Sequence, residues 1–277
     1  MKILENKKKL DNLLEKIRVQ DLKIGLIPTM GSIHEGHISL IEKSKQSKCF
    51  SIVTIFVNPT QFNNLEDFNN YPKNKEDDIN KLKLVECDAL YFPQTQELYP
   101  NEVKSKKTIF DYRDILCDRF RPGHFDGVTT VVKSLFDLVK PHKVFFGEKD
   151  FQQLKLIKKV IEKNILPIEL ISCPSIRSNN SMSISSRYNN FSLKEKKILD
   201  KIAIKINLCV KELRKNINLS FLEKLNQELQ YYDVNKIDYL EIREEENLQL
   251  TEKKTKARLF IAFYLGKIRI IDNFILY

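Results

Sequence analysis

Pro28-Thr29-Met30-Gly31-Ser32-Ile33-His34-Glu35-Gly36-His37 links the apolar run Ile24–Pro28 to a helix-period segment, His37–Ser47. A strand that passes through a glycine-bearing loop straight into a helix is the opening unit of a doubly wound parallel sheet. Gly31 and Gly36 let backbone come close to a ligand, and the N–H groups and dipole of a helix start favour an anion. His34 and His37 are three apart, so both project from one side of the first turn. Two imidazoles there can donate hydrogen bonds to phosphate oxygens and stabilise growing charge in phosphoryl or nucleotidyl transfer. A zinc reading fails for want of a third and fourth ligand nearby.

Outward from this segment the first 175 residues alternate in the same manner. An amphipathic helix is expected over Ile3–Arg18, with Leu10, Leu13, Leu14 and Ile17 on one face. Short apolar runs follow at Phe50–Val57, Ala89–Pro93, Val144–Gly147 and Ile168–Cys173, nearly continuous, as parallel strands covered on both faces should be. Helix-period segments at Asp77–Glu86, Val128–Lys140 and Phe151–Asn164 separate them. After Pro174 the pattern changes. Ser192 with Glu195 three residues later reads as a capping box, a second helix is expected over Phe221–Gln230, and three strands at Ile237–Arg243, Ala257–Leu265 and Ile268–Ile275 are close enough to be antiparallel, the last two joined at Gly266-Lys267. The expected architecture is therefore α/β: a Rossmann-like doubly wound parallel sheet over residues 1–175 and a smaller α+β C-terminal domain with antiparallel strands over 176–277.

Composition bounds the function. The chain has 277 residues, 42% hydrophobic and 30% charged, with 7 Gly and 9 Pro, which excludes collagen-like and low-complexity classes. No apolar run approaches the roughly eighteen residues of a membrane span. Met1 to Lys9 is charged, so no secretory signal is expected and a cytoplasmic location is. Five Cys, an odd number with no C-x-x-C, exclude a disulfide framework and read as reduced core thiols. The net charge is +10, yet of 47 basic residues only 10 are Arg and they form no block, so the basic balance reads as a solvated surface rather than a nucleic-acid footprint.

Five of the seven Gly and three of the four His fall in three short segments at strand ends or helix starts, where open parallel sheets bind ligands. Beyond the opening segment these are Arg121-Pro-Gly123-His124-Phe-Asp-Gly127-Val and Phe146-Gly147-Glu148-Lys149-Asp150-Phe-Gln152-Gln153. Asn58-Pro-Thr-Gln61-Phe62 adds two neutral amides that can grip a hydroxyl or carboxylate, and Ser185-Ser186-Arg187 adds hydroxyls and a guanidinium suited to polyphosphate.

H-x-G-H after a first strand resembles the nucleotidylyltransferase superfamily. N-P-x-Q-F, R-P-G-H-F-x-G-V, F-G-E-K-D-F-Q-Q and S-S-R, in this order behind P-T-M-G-x-x-H-x-G-H, resemble the pantoate–β-alanine ligase family nearly end to end, including Leu240-Glu-Ile-Arg and Ile271-Asp-Asn. The resemblance implies ATP as co-substrate with Mg2+, pantoate and β-alanine as substrates, a pantoyl-adenylate intermediate and a homodimer. Position by position it assigns Met30, Gly31, Ser32, Ile33, His34, Glu35, Gly36 and His37 to ATP, with His37 as the proton-donating catalytic residue. It also gives ATP the residues Gly147, Glu148, Lys149, Asp150, Ile176 (through its backbone), Ile184, Ser185, Ser186 and Arg187, the last four acting from the second domain as a lid. Gln61 and Gln153 are assigned to pantoate, with Gln61 also where β-alanine enters. Asp77 is a metal candidate, although Glu76-Asp77-Asp78 is equally an ordinary acidic first turn of a helix. Asn180-Ser181 stands where the family has Asp-Gly, and Tyr188 where it has Asn, so a looser phosphate loop is expected. Two other readings stay open on sequence: a nucleotidylyltransferase without an amine acceptor, and a basic nucleic-acid binder.

Overall fold

The computed structural model describes residues 1–178, 182–253 and 255–277. They form two compact units. The first comprises Met1–Arg113, Arg121–Glu148 and Gln153–Pro174; the second comprises Asp114–Phe120, Lys149–Gln152 and Ser175–Tyr277. The second unit thus takes in two short segments that interrupt the first unit in sequence.

In chain order the first unit runs β1 (Lys2–Leu4), α1 (Lys7–Val19), β2 (Lys23–Thr29), α2 (Glu35–Gln46), β3 (Cys49–Ile55), α3 (Leu65–Asn69), α4 (Lys75–Leu84), β4 (Ala89–Tyr91) and α5 (Thr95–Leu98). The short α6 (Leu116–Phe120) belongs to the second unit. Next come α7 (His124–Val139), β5 (Lys143–Gly147), α8 (Phe151–Lys163) and β6 (Glu169–Cys173). Among the described residues six strands pair in the order β1-β4-β3-β2-β5-β6, all parallel. Such a sheet must be covered on both faces. Helices α2 and α4 cover the side carrying Ile27, Val53, Leu90 and Phe145, through Leu40, Ile41 and Leu82. Ile24 and Leu26 alternate with Ile27 along β2 and are fully buried, while α1 and α7 pack on β2 and on each other. The doubly wound parallel sheet expected from the sequence is present.

The start of the chain differs from expectation. The helix placed over Ile3–Arg18 begins only at Lys7, because Asn6 caps it by accepting from Lys9 N. Lys2–Leu4 instead pairs with Ala89–Tyr91 as the edge strand β1. Helix α7 also starts earlier than Val128, at His124, behind Gly123 with φ +79°.

The second unit continues with α9 (Leu193–Lys215), α10 (Ser220–Gln230), β7 (Val234–Glu244), β8 (Ala257–Leu265) and β9 (Ile268–Ile275). The capping box is formed: Glu195 N donates to Ser192 Oγ at 3.2 Å and Ser192 N to Glu195 Oε2 at 2.8 Å. The three strands are antiparallel in the order β7-β8-β9. Leu199, Ile202, Ile206 and Leu213 of α9 and Leu222, Leu225 and Leu229 of α10 share a core with Leu259, Ile261, Phe263 and Phe274 of the sheet. Every cysteine is free and buried. Burial pushes the Cys173 thiol up to about 11 and the Cys209 thiol up to about 12, which suppresses thiolate reactivity.

Candidate active site

The chain leaves β2 toward β3 on one side of the sheet and returns to β5 on the other, so β2 and β5 flank the point where strand order reverses. Ligands of open α/β sheets bind outside the carboxyl ends of the strands at this point. Thr29 to His37 lie at the end of β2, Gly147 and Glu148 at the end of β5, and Asn58 to Gln61 just beyond β3.

The turn after β2 is tied at nearly every peptide. Gly31 has φ +87° and Ser32 φ +53°, a left-handed pair that a non-glycine residue adopts only at a cost. Thr29 Oγ1 accepts from Gly31 N at 3.1 Å. The Asp78 carboxylate, on α4, accepts from Ser32 N at 2.9 Å and Ile33 N at 2.6 Å. Lys81 Nζ donates to Ile33 O at 2.9 Å. Asp78 is only 2% exposed, and burial raises its carboxyl above the usual carboxylate range against the pull of the Ile33 and Ser32 amides and of Lys81.

His34 is the N-cap of α2, its Nδ1 accepting from Gly36 N at 3.1 Å. The neutral ring therefore carries its proton on Nε2, where it can donate. His37 stacks on it with ring centroids 4.1 Å apart. Glu35 opens the helix and is exposed, while Met30, Ser32, Gly36 and His37 are half-buried.

Gln61 is buried and held from several sides. Its Oε1 accepts from Asn58 Nδ2 at 3.0 Å, and its Nε2 reaches Met30 Sδ at 3.0 Å. The structure thus brings together Met30 and Gln61, assigned from sequence to different substrates. Sulfur is a weak acceptor, so a substrate oxygen would compete well for that N–H. The Gln61 carbonyl accepts from His124 Nδ1 at 2.7 Å and from Arg121 Nη2 at 3.4 Å. Asn58 Oδ1 accepts from Tyr99 OH at 2.6 Å, and Asn58 Nδ2 also reaches Gly127 O at 3.2 Å. Arg121, His124 and Gly127 of the R-P-G-H-F-x-G-V segment therefore serve to hold Gln61 and its loop.

Gly147 has open space where a Cβ would stand. Glu148 Oε1 accepts from Ser172 Oγ at 2.8 Å. Gln153 is half-buried near the start of α8. In the second unit Lys149 Nζ lies 3.6 Å from Asp150 Oδ2. Exposed Ile176 accepts at its carbonyl from Ile184 N at 3.0 Å. Ser185 caps a short 3-10 turn over Ser186–Asn190 by accepting from Arg187 N at 3.3 Å. Tyr188 is exposed, its ring edge-on to Phe191 at 6.4 Å and under the Lys196 ammonium. Asn180 and Ser181 lie outside the described residues.

Asp77 is exposed and pairs with Lys81 at 2.7 Å. Among the described residues no group of three or more His, Cys, Asp or Glu could hold a metal ion. The donors at Asp77 do not build a resident metal site, since its neighbour Asp78 spends both oxygens on backbone amides. The acidic residue that reaches the turn is Asp78, which was not singled out from the sequence. Asp78 stands four residues before buried Leu82, on the inward stripe of α4, and that spacing was the available signal.

A family model described as pantoate-beta-alanine ligase matches residues 2–275. The chain belongs to the pantoate–β-alanine ligase family. A pantothenate synthetase of Christiangramia forsetii is 39% identical over 284 residues, covering 99% of this chain and 98% of that protein. The crystal structure of pantoate-beta-alanine ligase from Francisella tularensis, complexed with β-γ ATP and β-alanine, is 35% identical with TM-score 0.85 and covers 100% of this chain and 98% of its own. Pantothenate synthetase from Thermus thermophilus aligns at TM-score 0.89 and 29% identity over 100% of both chains. No helix among the described residues is long and apolar enough to cross a membrane.

With the family known, the Asp78 clamp has a testable weight. Asp78→Asn leaves one carbonyl oxygen for two amides, and an unmet buried donor costs about 1–3 kcal/mol. Adenylate formation is expected to slow by about tenfold or more, because His34 and His37 hang from the released turn. The variant should also lose a pH dependence. A carboxyl raised in the folded state binds its proton more readily there than in the unfolded chain. It therefore subtracts stability as pH rises from the ordinary carboxylate value through the raised one. Urea unfolding across acidic pH should show that slope in the wild type and a flatter profile in the variant.

Proposed function

We propose that this chain ligates (R)-pantoate to β-alanine with ATP, through pantoyl adenylate, and releases AMP and diphosphate. The observation that carries this reading is the fixed turn after β2, which sets two stacked imidazoles and the Met30–Gln61 contact at the strand-order reversal.

In the first step a pantoate carboxylate oxygen bonds to the α-phosphorus of ATP as the bond to the diphosphate oxygen breaks. One anion attacks another, so neutralisation and alignment matter more than a general base. His37 is assigned the donor to the phosphate oxygens, with His34 Nε2–H beside it. Gly31 to Gly36, Gly147 to Asp150 and the Ile176 backbone are assigned to the nucleotide. Lys149 supplies a point charge. Gln61 and Gln153 orient pantoate by amide hydrogen bonds that do not titrate. Residues 176–277 are assigned the lid domain, with Ile184, Ser185, Ser186 and Arg187 on the phosphates. In the second step the β-alanine amine bonds to the acyl carbon, AMP leaves, and the amine loses a proton. Mg2+, brought with ATP, would supply further neutralisation of phosphate charge beside His37 and Lys149. The reading includes a cytoplasmic homodimer that binds neither membrane nor nucleic acid.

The test is product release from ATP and pantoate. Diphosphate should form without β-alanine, and sustained AMP release should need it. AMP release indifferent to β-alanine would point to a nucleotidylyltransferase without an amine acceptor.

A further inference from the structure

Successive residues of a strand point to opposite faces. On β9 this places Asp272, paired with Ile261, and Asn273, paired with Phe260, on opposite sides of the C-terminal sheet. Two adjacent polar residues buried to 3% and 2% exposure between Ile271 and Phe274 must be satisfied by partners, and their partners are specific.

Asp272 Oδ2 accepts from Arg177 Nη1 at 3.0 Å and from Ser183 N at 2.8 Å. Arg177 and Ser183 also bridge in antiparallel fashion, and Ile184 N donates to Ile176 O at 3.0 Å. Arg177 Nη2 donates to Asn273 O at 2.6 Å, and its guanidinium lies 4.3 Å over the Phe274 ring. One carboxylate therefore holds both residues of the Arg177–Ser183 bridge, just ahead of Ser185, Ser186 and Arg187 in the chain. On the other face Asn273 Nδ2 donates to the Lys149 carbonyl at 3.0 Å, while Asn273 Oδ1 accepts from Arg258 Nη1 at 2.8 Å. Arg258 in turn lies 4.2 Å over the ring of Phe151, two residues after Lys149. The side chain that holds the Lys149 turn is thus the immediate neighbour of the side chain that holds Arg177 and Ser183.

We propose that Asp272 and Asn273 are positioning residues for the nucleotide. From opposite faces of β9 they fix the Lys149–Asp150 turn and the paired segments leading into Ser185–Arg187 in one relation, so that both meet the same phosphates. The inference rests on the reading that Lys149 and Ser185–Arg187 contact ATP. Neither Asp272 nor Asn273 touches substrate in this scheme.

Asn273→Asp is the diagnostic variant. A carboxylate keeps, and strengthens, the bond to Arg258, but it has no N–H for the Lys149 carbonyl. A merely structural Asn273 would tolerate the change; a positioning one would not. ATP affinity is measured by calorimetry without other substrates, beside pantoate KM and thermal unfolding. Asn273→Asp is expected to weaken ATP binding about tenfold, with pantoate KM within about twofold and unfolding within about 4 °C of the wild type. Asp272→Asn, which removes the charge facing Arg177, is expected to weaken ATP in the same direction and also to lower the unfolding temperature. Wild-type ATP affinity in Asn273→Asp overturns the inference. So does a parallel rise in the ATP and pantoate constants. A wild-type chain that binds ATP but makes no pantothenate defeats the proposed reaction, while the ratio of ATP affinities still decides the inference. A wild-type chain that binds no ATP overturns both.

Discussion

His37→Ala is expected to lower the rate of adenylate formation by about 10²–10³, the usual loss when one preorganised donor to transition-state charge is removed. The fold should survive, because His37 follows the cap: its amide bonds to His34 O at 2.8 Å whatever its side chain. His34 makes the internal control. Its ring caps α2 through Gly36 N, so His34→Ala should cost rate together with about 1 kcal/mol of stability. Diphosphate exchange and thermal unfolding on the two variants separate the roles. A less than threefold loss of exchange in His37→Ala, with folding intact, would remove this residue from the catalytic assignment.

The sheet was legible because its central strands are continuous apolar runs, and Ile24, Leu26 and Ile27 are buried on both faces as such runs demand. What could not be read was β1. Three residues, only Leu4 of them buried, carry no period of their own. Ile3 and Leu4 even continue the spacing of Leu10, Leu13, Leu14 and Ile17, and only the Asn6 cap breaks it. The pairing that makes Lys2–Leu4 a strand comes from Ala89–Tyr91, far along the chain, and no local pattern announces it.

At the site, residues of rare type were legible and their supports were not. Gly31, His34, Gly36 and His37 stand out because glycine and histidine are scarce in this chain. Asp78 does not, since 37 acidic residues are present and two more precede it directly. Its importance arises from packing α4 beside the β2 turn. Likewise the segment of Arg121 and His124 stood out in sequence but their role did not, because what they hold is a backbone carbonyl at Gln61. A backbone acceptor has no residue identity and leaves no mark in the sequence.

Gly127→Ala puts this last point to the test. Inside an ordinary helix the change would stabilise by about 0.5–1 kcal/mol, because glycine loses more backbone freedom on folding. In α7 the sign should reverse. A Cβ at Gly127 would fall against the Thr60 carbonyl and within 2.7 Å of Gln61 N. These are backbone atoms, so no side chain can swing aside. Forcing a methyl into such a contact typically costs about 1–3 kcal/mol, which outweighs the helix gain. The relief available is for the Asn58–Gln61 turn to move away from α7. That movement would stretch the Asn58 Nδ2 bond to Gly127 O and the His124 bond to the Gln61 carbonyl. The Gln61 amide would leave its place beside Met30. The unfolding temperature should fall by a few degrees, at roughly 2–4 °C per kcal/mol for a chain of this size. Pantoate KM should rise by about tenfold, and ATP affinity, measured without pantoate, should change far less. A variant as stable as the wild type would mean that α7 and the turn separate without cost. A variant that is destabilised but keeps its pantoate KM would show that Gln61 is placed by Asn58 alone, and that the close packing at Gly127 serves the fold and not the substrate.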